Sequence, residues 1–339
     1  MGMFRVVGLA AVLFVATAGG LRAEDLLGDA YAVSVQTDVV YGQGRVGAST
    51  PGAHLRDLKM DVYRPLKEGA PLTERPAVIM AFGGAFHRGS KGTDRFEEDG
   101  ASDSAMGDYC HAFAAAGYTC FSVEYRLVPE DPALPEGLDP ALLFPKAMVK
   151  DPLATARIDV VRGRMGLPLL DEQSREQLWN GVFAAADDLA QAVRFVREQS
   201  GQFGVDPQRV ALGGFSAGGL SAVNAAYGMG APVKAVLSLS GGLGGFDLRK
   251  TARPGMPAGL FVIGQNDLPA VQAGTQGLLA ALAAAGIATE GAWMPGFGHF
   301  YPMGATSLGS DMTRLTLKSR ALRFLDRHLG RQSVDSAPE

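Results

Sequence analysis

Apolar residues recur along this chain as short continuous runs, separated by longer stretches with helical spacing. Ala77–Phe82 (AVIMAF), Thr119–Tyr125, Val210–Gly213, Ala235–Leu239, Leu260–Ile263 and Thr289–Met294 read as strands. Continuous apolar runs of this length are expected of strands covered on both faces. Val33–Tyr41 and Leu55–Tyr63 read as an earlier strand pair. Between them lie helical patterns over Asp103–Ala116, Ser174–Gln199, Leu278–Ala285 and Met312–Leu329, with another running from the end of the Val210–Gly213 strand to about Tyr227. In Ser174–Gln199 the apolar positions Leu178, Val182, Phe183, Leu189, Val193 and Val196 share one helical face. Strands alternating with helices predict an α/β fold: a mainly parallel, twisted sheet with helices on both faces.

One segment breaks that rhythm. Val128 to Gln173 is rich in Pro and Gly and carries no clean strand. A connection this long inside a compact domain is usually functional or disordered. Residues 128–173 are therefore read as a cap-like insertion over the sheet edge where ligands bind; the bland alternative is a surface excursion.

The ends differ from the body. Met1–Arg5 is a short basic start, Val6–Ala18 is apolar and uncharged, and Ala23 is a small residue just before Glu24 and Asp25. That is the order of a secretory signal, expected to be removed after residue 23. The apolar run is shorter than a membrane span requires, and no Cys follows it. Export, to a periplasm or beyond, is the expectation, with no stable membrane anchor after cleavage. Residues 24–330 are read as one α/β domain and 331–339 as a loose tail. An exporting signal makes a Cys110–Cys120 disulfide chemically accessible, but spacing alone leaves the two thiols either bonded or simply buried.

Composition excludes several classes. Of 339 residues, 47 % are apolar and 19 % charged, which is a folding composition. The net charge is −4 with no basic run, so nucleic acid is not an expected partner. Two cysteines cannot build a disulfide scaffold. Gly42–Gly47 matches G-x-G-x-x-G, yet the residues that follow, Ala-Ser-Thr-Pro-Gly, start no helix, so no dinucleotide cofactor is expected. Gly84–Lys91 has the Ser and Lys of a phosphate loop in the wrong order. No metal-ligand spacing is present, and no catalytic metal is expected.

The candidate chemistry lies at three places. Gly214-Phe215-Ser216-Ala217-Gly218 fits G-x-S-x-G between an apolar strand and an Ala-rich helix. Such a turn forces the serine into an exposed, strained position, and small residues two before and two after it let the backbone cross. A serine nucleophile needs a base, and the base an orienting acid. After Ser216 the histidines are His299, in a loop after the last strand, and His328, beside Arg327 in the terminal helix. His299 is the expected base. Asp267, ending the strand and turn GLFVIGQND, is the expected acid, with Asp247 its rival. An oxyanion needs preorganised donors. Gly84 and Ala85, after AVIMAF, and Ala217, after the serine, are the candidate N–H groups. His87 beside them is read as a loop or substrate contact, and Trp179 and Trp293 as core.

These motifs together resemble the α/β-hydrolase serine esterases, in particular hormone-sensitive-lipase-like carboxylesterases and the lipase/acetylxylan-esterase-like group. The resemblance covers roughly residues 55–330. It rests on Asp61-Val62-Tyr63-Arg64-Pro65, on Phe82–Phe86 where the family has His-Gly-Gly-Gly-Phe, and on Val123–Glu130 (VEYRLVPE). It also rests on the Ser216 turn, Asp267 and His299. Phe82 for the family His, Ala85 for a Gly, and the long insertion are departures. The resemblance implies a small-molecule ester substrate, small or carbohydrate-linked, hydrolysed through an acyl-enzyme by Ser216, His299 and Asp267. Amidase or peptidase chemistry with the same residues, or a non-catalytic binding protein on this scaffold, stand as alternatives. Acyl length, alcohol moiety and oligomeric state are not encoded legibly.

Overall fold

A computed structural model describes residues 30–98 and 100–330. The expected signal, 1–23, and the tail, 331–339, lie outside the described residues.

β1 (Ala32–Val46) and β2 (His54–Lys67) form a long antiparallel pair. β3 (Arg75–Ala81), α1 (Met106–Ala115) and β4 (Thr119–Val123) follow. An irregular stretch leads to α2 (Pro152–Arg164) and the long α3 (Glu172–Glu198). β5 (Val205–Phe215) runs into α4 (Ala217–Val223), then come β6 (Ala235–Leu239) and β7 (Ala258–Gly264). α5 (Pro269–Ala284), β8 (Thr289–Met294), β9 (Thr306–Gly309), β10 (Arg314–Thr316) and α6 (Leu317–Leu329) complete the order.

The strands form one sheet in the order β1-β2-β4-β3-β5-β6-β7-β8-β9-β10, with a two-residue strand, Ala70–Pro71, paired to β2. The run from β4 to β8 is parallel, and the strands on either side of it are antiparallel. Every residue of β3, β4 and β6 is buried. Successive side chains of a strand point to opposite faces, so both faces of the central sheet are covered, as the apolar runs require. α3 buries Leu178, Phe183, Leu189, Val193 and Val196, each contributing about 1.5–3 kcal/mol. It starts earlier than its apolar period because Asp171 accepts from the Ser174 amide and caps it.

Other boundaries differ for local reasons. The expected helix from Met312 begins only at Leu317. Asp311 accepts from the Thr313 amide in a turn, Met312 takes a φ of 63°, and Thr316 caps the helix. β9 and β10 are too short to leave a period. α5 begins at Pro269, whose fixed φ suits a first helical turn. Gly42 and Gly44 lie inside β1, where a Cβ would meet Gln191 Oε1 at 2.6 Å and Arg126 Cδ at 2.4 Å. Their spacing reflects close packing. Cys110 and Cys120 are bonded, joining α1 to β4 across a Cα separation of 5.0 Å.

Two anchors serve the site. Arg126 is buried against Asp188 of α3, its Nε 2.9 Å from Oδ1, while its backbone N–H donates to Oδ2 at 2.7 Å. Tyr125, just before it, donates its hydroxyl to the Phe82 carbonyl at 2.9 Å, and its ring stacks on Phe82 at 4.5 Å. Phe82, standing where the family has His, is thus held by an aromatic stack.

Candidate active site

The turn at Ser216 begins as β5 ends. Ser216 has φ 52° and ψ −117°, a conformation that strains a residue with a side chain. Glycine sterics explain why it persists. A Cβ on Gly218 would lie 2.2 Å from the Ala81 carbonyl oxygen, and one on Gly214 2.5 Å from the same atom. Only bare glycines let β5, α4 and the end of β3 come this close. The Ser216 amide donates to the Leu239 carbonyl at 2.7 Å, tying the turn to β6.

Ser216, Asp267 and His299 meet at the carboxyl ends of β5, β7 and β8, where an open α/β sheet collects its ligand groups. Ser216 Oγ lies 2.8 Å from His299 Nε2, and His299 Nδ1 lies 2.7 Å from Asp267 Oδ1. A carboxylate only accepts, so Nδ1 carries the proton and Nε2 is free to receive one from Ser216. The Asp267 side chain is fully buried. Its Oδ1 also accepts from the Leu268 amide at 2.8 Å, and its Oδ2 accepts from Ser240 Oγ at 2.5 Å and from the Gly264 amide at 3.0 Å. With His299 that makes four donors, enough to satisfy a buried carboxylate and fix its plane.

Sequence alone does not point to Ser240 or Tyr301. Ser240 sits at φ 51° directly after β6, and its Oγ lies 2.8 Å from the Tyr301 hydroxyl. Burial, then the Asp267 charge, holds the Tyr301 phenol well above its ordinary range, so it remains a neutral donor behind the acid. The legible signal for Ser240 is its position after an apolar strand, the same logic that points to Ser216.

The loop after β3 takes three successive positive φ values, at Gly84 (120°), Ala85 (56°) and Phe86 (61°). Its Gly84 carbonyl accepts from the amides of His87 and Arg88. In a planar trans peptide the C=O and N–H point opposite ways, so the Ala85 N–H points out of that turn. By the same reasoning the Ala217 N–H points away from the helix, because the Ser216 carbonyl accepts from the Leu220 amide. Ala85 and Ala217 border one cavity with Ser216 and His299, and Gly84 borders a small adjoining one with the same pair.

The larger cavity encloses about 270 Å3. Leu153 and Ile158 of α2, Trp179 and Val182 of α3, Leu220 of α4 and Leu243 line it beside Ser216. The segment read as a cap thus supplies one wall. Trp179 is buried in the core, as expected, and also lines the cavity, whereas Trp293 is 43 % exposed on β8. Asp247 instead caps a short helix and pairs with Arg249. His328 packs on Phe324 in α6, 4.6 Å between rings.

His87 is buried between the loop and α2. Its Nδ1 lies 2.7 Å from the Ala85 carbonyl, so Nδ1–H donates there, and Nε2 accepts from Arg162 Nη1 at 3.1 Å. Burial, helped by the Arg162 charge, pulls its pKa below the ordinary histidine range.

Comparison with known proteins agrees with this architecture. The BD-FAE family model matches residues 176–234, which contain most of α3, β5, the Ser216 turn and α4. A truncated carbohydrate esterase from gut microbiota superposes with a TM-score of 0.54 at 15 % identity, covering 89 % of this chain and 98 % of that one. Thermogutta terrifontis esterase 2, phosphorylated by paraoxon, gives a TM-score of 0.51 at 18 % identity, covering 86 % and 92 %. Comparison of the sequence with curated proteins finds no match. The fold is that of the α/β-hydrolases, and the likeness to these two esterases spans most of the chain.

Proposed function

We propose that the protein is a serine carboxylic-ester hydrolase that works through an acyl-enzyme. The observation that carries the reading is the continuous hydrogen-bonded chain Ser216–His299–Asp267 at the wall of an apolar cavity. Ser216 Oγ attacks the ester carbonyl carbon as His299 Nε2 takes its proton. The carbonyl oxygen becomes an oxyanion, held by the N–H groups of Ala85 and Ala217, with Gly84 beside them. Collapse expels the alcohol, which takes the proton back from His299. Water, activated by the same imidazole, then releases the acid. Asp267 keeps the ring oriented and balances its transient charge.

The cavity favours an apolar acyl group of modest size, since its lining is largely hydrocarbon. Within the 128–173 insertion, residues 146–164 are read as the part that covers that group, since Met148, Val149, Leu153 and Ile158 line the cavity. Both solved neighbours named above are esterases, which agrees with ester hydrolysis. Export is part of the same proposal, and the Cys110–Cys120 bond is in keeping with an oxidising compartment. N-terminal sequencing of the exported protein should read from Glu24.

Hydrolysis of p-nitrophenyl esters from acetate to palmitate tests the reading, with Ser216→Ala alongside. Turnover on short and medium chains is expected, lowered roughly 10⁴–10⁶-fold in kcat by the substitution. Near-normal activity in Ser216→Ala would overturn it. Turnover of aminoacyl amides in preference to esters would move the assignment to an amidase.

A further inference from the structure

Beside the loop after β3, three guanidinium groups converge on Glu98. This residue belongs to a short hairpin, Glu97–Glu98 with Ala101–Ser102, and its side chain is 8 % exposed. Arg157 of α2 grips it with both nitrogens, Nη1 to Oε2 at 2.6 Å and Nη2 to Oε1 at 2.7 Å. Arg164 of α2 also pairs with it. Arg88, from the loop after β3, reaches only to 4.0 Å of Oε1, beyond hydrogen-bond distance. Its Nε is buried and meets no acceptor among the described residues. Its guanidinium stacks over the Phe96 ring at 4.6 Å, as that of Arg157 does over Phe300 at 5.4 Å. Burial, then repulsion from Arg157 and Arg164, lowers the affinity of Arg88 for its proton. A cation held among cations, with a buried donor unserved, is an arrangement an anion would relieve.

The position of this cluster gives it a use. Arg88 and Arg157 border the small cavity, about 10 Å3, that also touches Ser216, His299, Gly84 and Ala85. Ser216 and His299 border both cavities; with the acyl group in the larger apolar one, as read above, the small one is left to the alcohol part of the ester. We propose that Arg88, with Arg157 beside it, forms an anion subsite that receives a carboxylate carried on the alcohol portion of the substrate. The subsite rests on the hydrolase reading above and names the substrate class for it: esters of hydroxy acids and similar anionic alcohols. In the closed arrangement the space equals about one water molecule. Arg88, 28 % exposed at its side chain, must swing to admit the carboxylate.

The test compares two butyrate esters of equal size, O-butyryl glycolate and O-butyryl glycolamide, and reads the ratio of their kcat/KM values. Wild-type enzyme should favour the anion at least tenfold at low salt, mainly through KM. The preference should shrink towards unity at 0.5 M NaCl as the charges are screened. Arg88→Gln should cut the ratio at least tenfold and Arg88→Lys should keep most of it. Glu98→Gln, which removes the competing carboxylate, should raise it. Using a ratio cancels general loss of activity or folded protein. A wild-type ratio at or below one, or a ratio that Arg88→Gln leaves unchanged, overturns the subsite. If the amide ester is still hydrolysed in a Ser216-dependent way, the hydrolase reading survives that failure. If neither ester turns over and a fluorophosphonate fails to label Ser216, both fall together.

Discussion

The wall of the cavity that carries Ser216 and the wall that faces it are held by different forces. Around Ser216, backbone meets backbone. Gly214 and Gly218 let strand and helix close onto the Ala81 carbonyl, and the strained φ of Ser216 survives because the crossing leaves no room for another conformation. The facing wall begins in the same way, with the Val128 amide on the Phe86 carbonyl, the Phe144 amide on the Gly245 carbonyl and a backbone bridge between Leu143 and Phe246. Its part over the cavity, residues 146–171, is fastened instead by side chains: Arg157 on Glu98, Arg162 on His87 and Arg175 on the Val149 carbonyl. Steric closure is all-or-none, whereas polar clips weaken by degrees. The Ser216 wall should fail sharply when altered and the facing wall gradually.

The largest effect should come from the acid. Asp267→Asn keeps the shape but loses the charge and proper imidazole tautomer, and kcat is expected to fall about 10⁴-fold, by analogy with other serine hydrolases. Steady-state kinetics on a p-nitrophenyl ester measure it; a loss below about a hundredfold, clearly short of that scale, would mean Asp267 does not orient His299. Next comes one substitution made on each wall. In Gly218→Ala the new Cβ would sit 2.2 Å from the Ala81 oxygen and 2.5 Å from the Phe82 oxygen. Overpacking against backbone should cost about 3 kcal/mol or more. A thermal melt should shift down by roughly 6–12 °C. A Cβ on Gly163 in α2 would meet nothing within 4 Å, so Gly163→Ala should leave stability unchanged or raise it by about 0.5–1 kcal/mol. Equal melting shifts for the two variants would erase the contrast. Arg162→Met should have a smaller effect. It removes donors to the Pro168 carbonyl and His87 Nε2, at about 1–2 kcal/mol, read as a modest drop in urea midpoint.

The same contrast explains what is legible in the sequence. Ser216, Gly214 and Gly218 lie within five positions, and the sterics that join them act over that distance, so a motif records them. Asp267 and His299 are legible because strand ends can be read from apolar runs and the reactive groups sit just past them. Ser240 obeys that rule too, but a serine after a strand carries no distinguishing chemistry until its hydroxyl is seen on Asp267. The facing wall leaves no period because its fastenings are distant in sequence: Arg157 and Glu98 are 59 residues apart, Arg162 and His87 75. Short elements such as β9 and β10 escape notice for lack of length. The helix expected at Met312 starts late because Thr316, four residues on, is the better cap.

The gentlest way to probe the facing wall is by protons. His87 is neutral in the fold, donating to Ala85 and accepting from Arg162, and its pKa is depressed, first by burial and then by the Arg162 charge, against the opposing pull of the Ala85 carbonyl and Asp159. An unfolded chain takes up the proton near the ordinary value of about 6.5; the folded chain resists until a lower pH. Between those limits the unfolded state binds more protons, so stability falls on acidification. The stabilising share of a neutral His87 is therefore fully present above about pH 6.5 and is lost as pH drops through the folded value. Thermal melts of wild type and His87→Gln at pH 7.5 and 5.0 should show the smaller acid-induced drop in the variant, because every other titrating group is common to both. Protonation also sets a cation against Arg162 and removes the acceptor that joins α2 to the loop of Ala85. A drop of equal size in the two proteins would mean that His87 charges freely and that Arg162 does not fasten α2 to that loop.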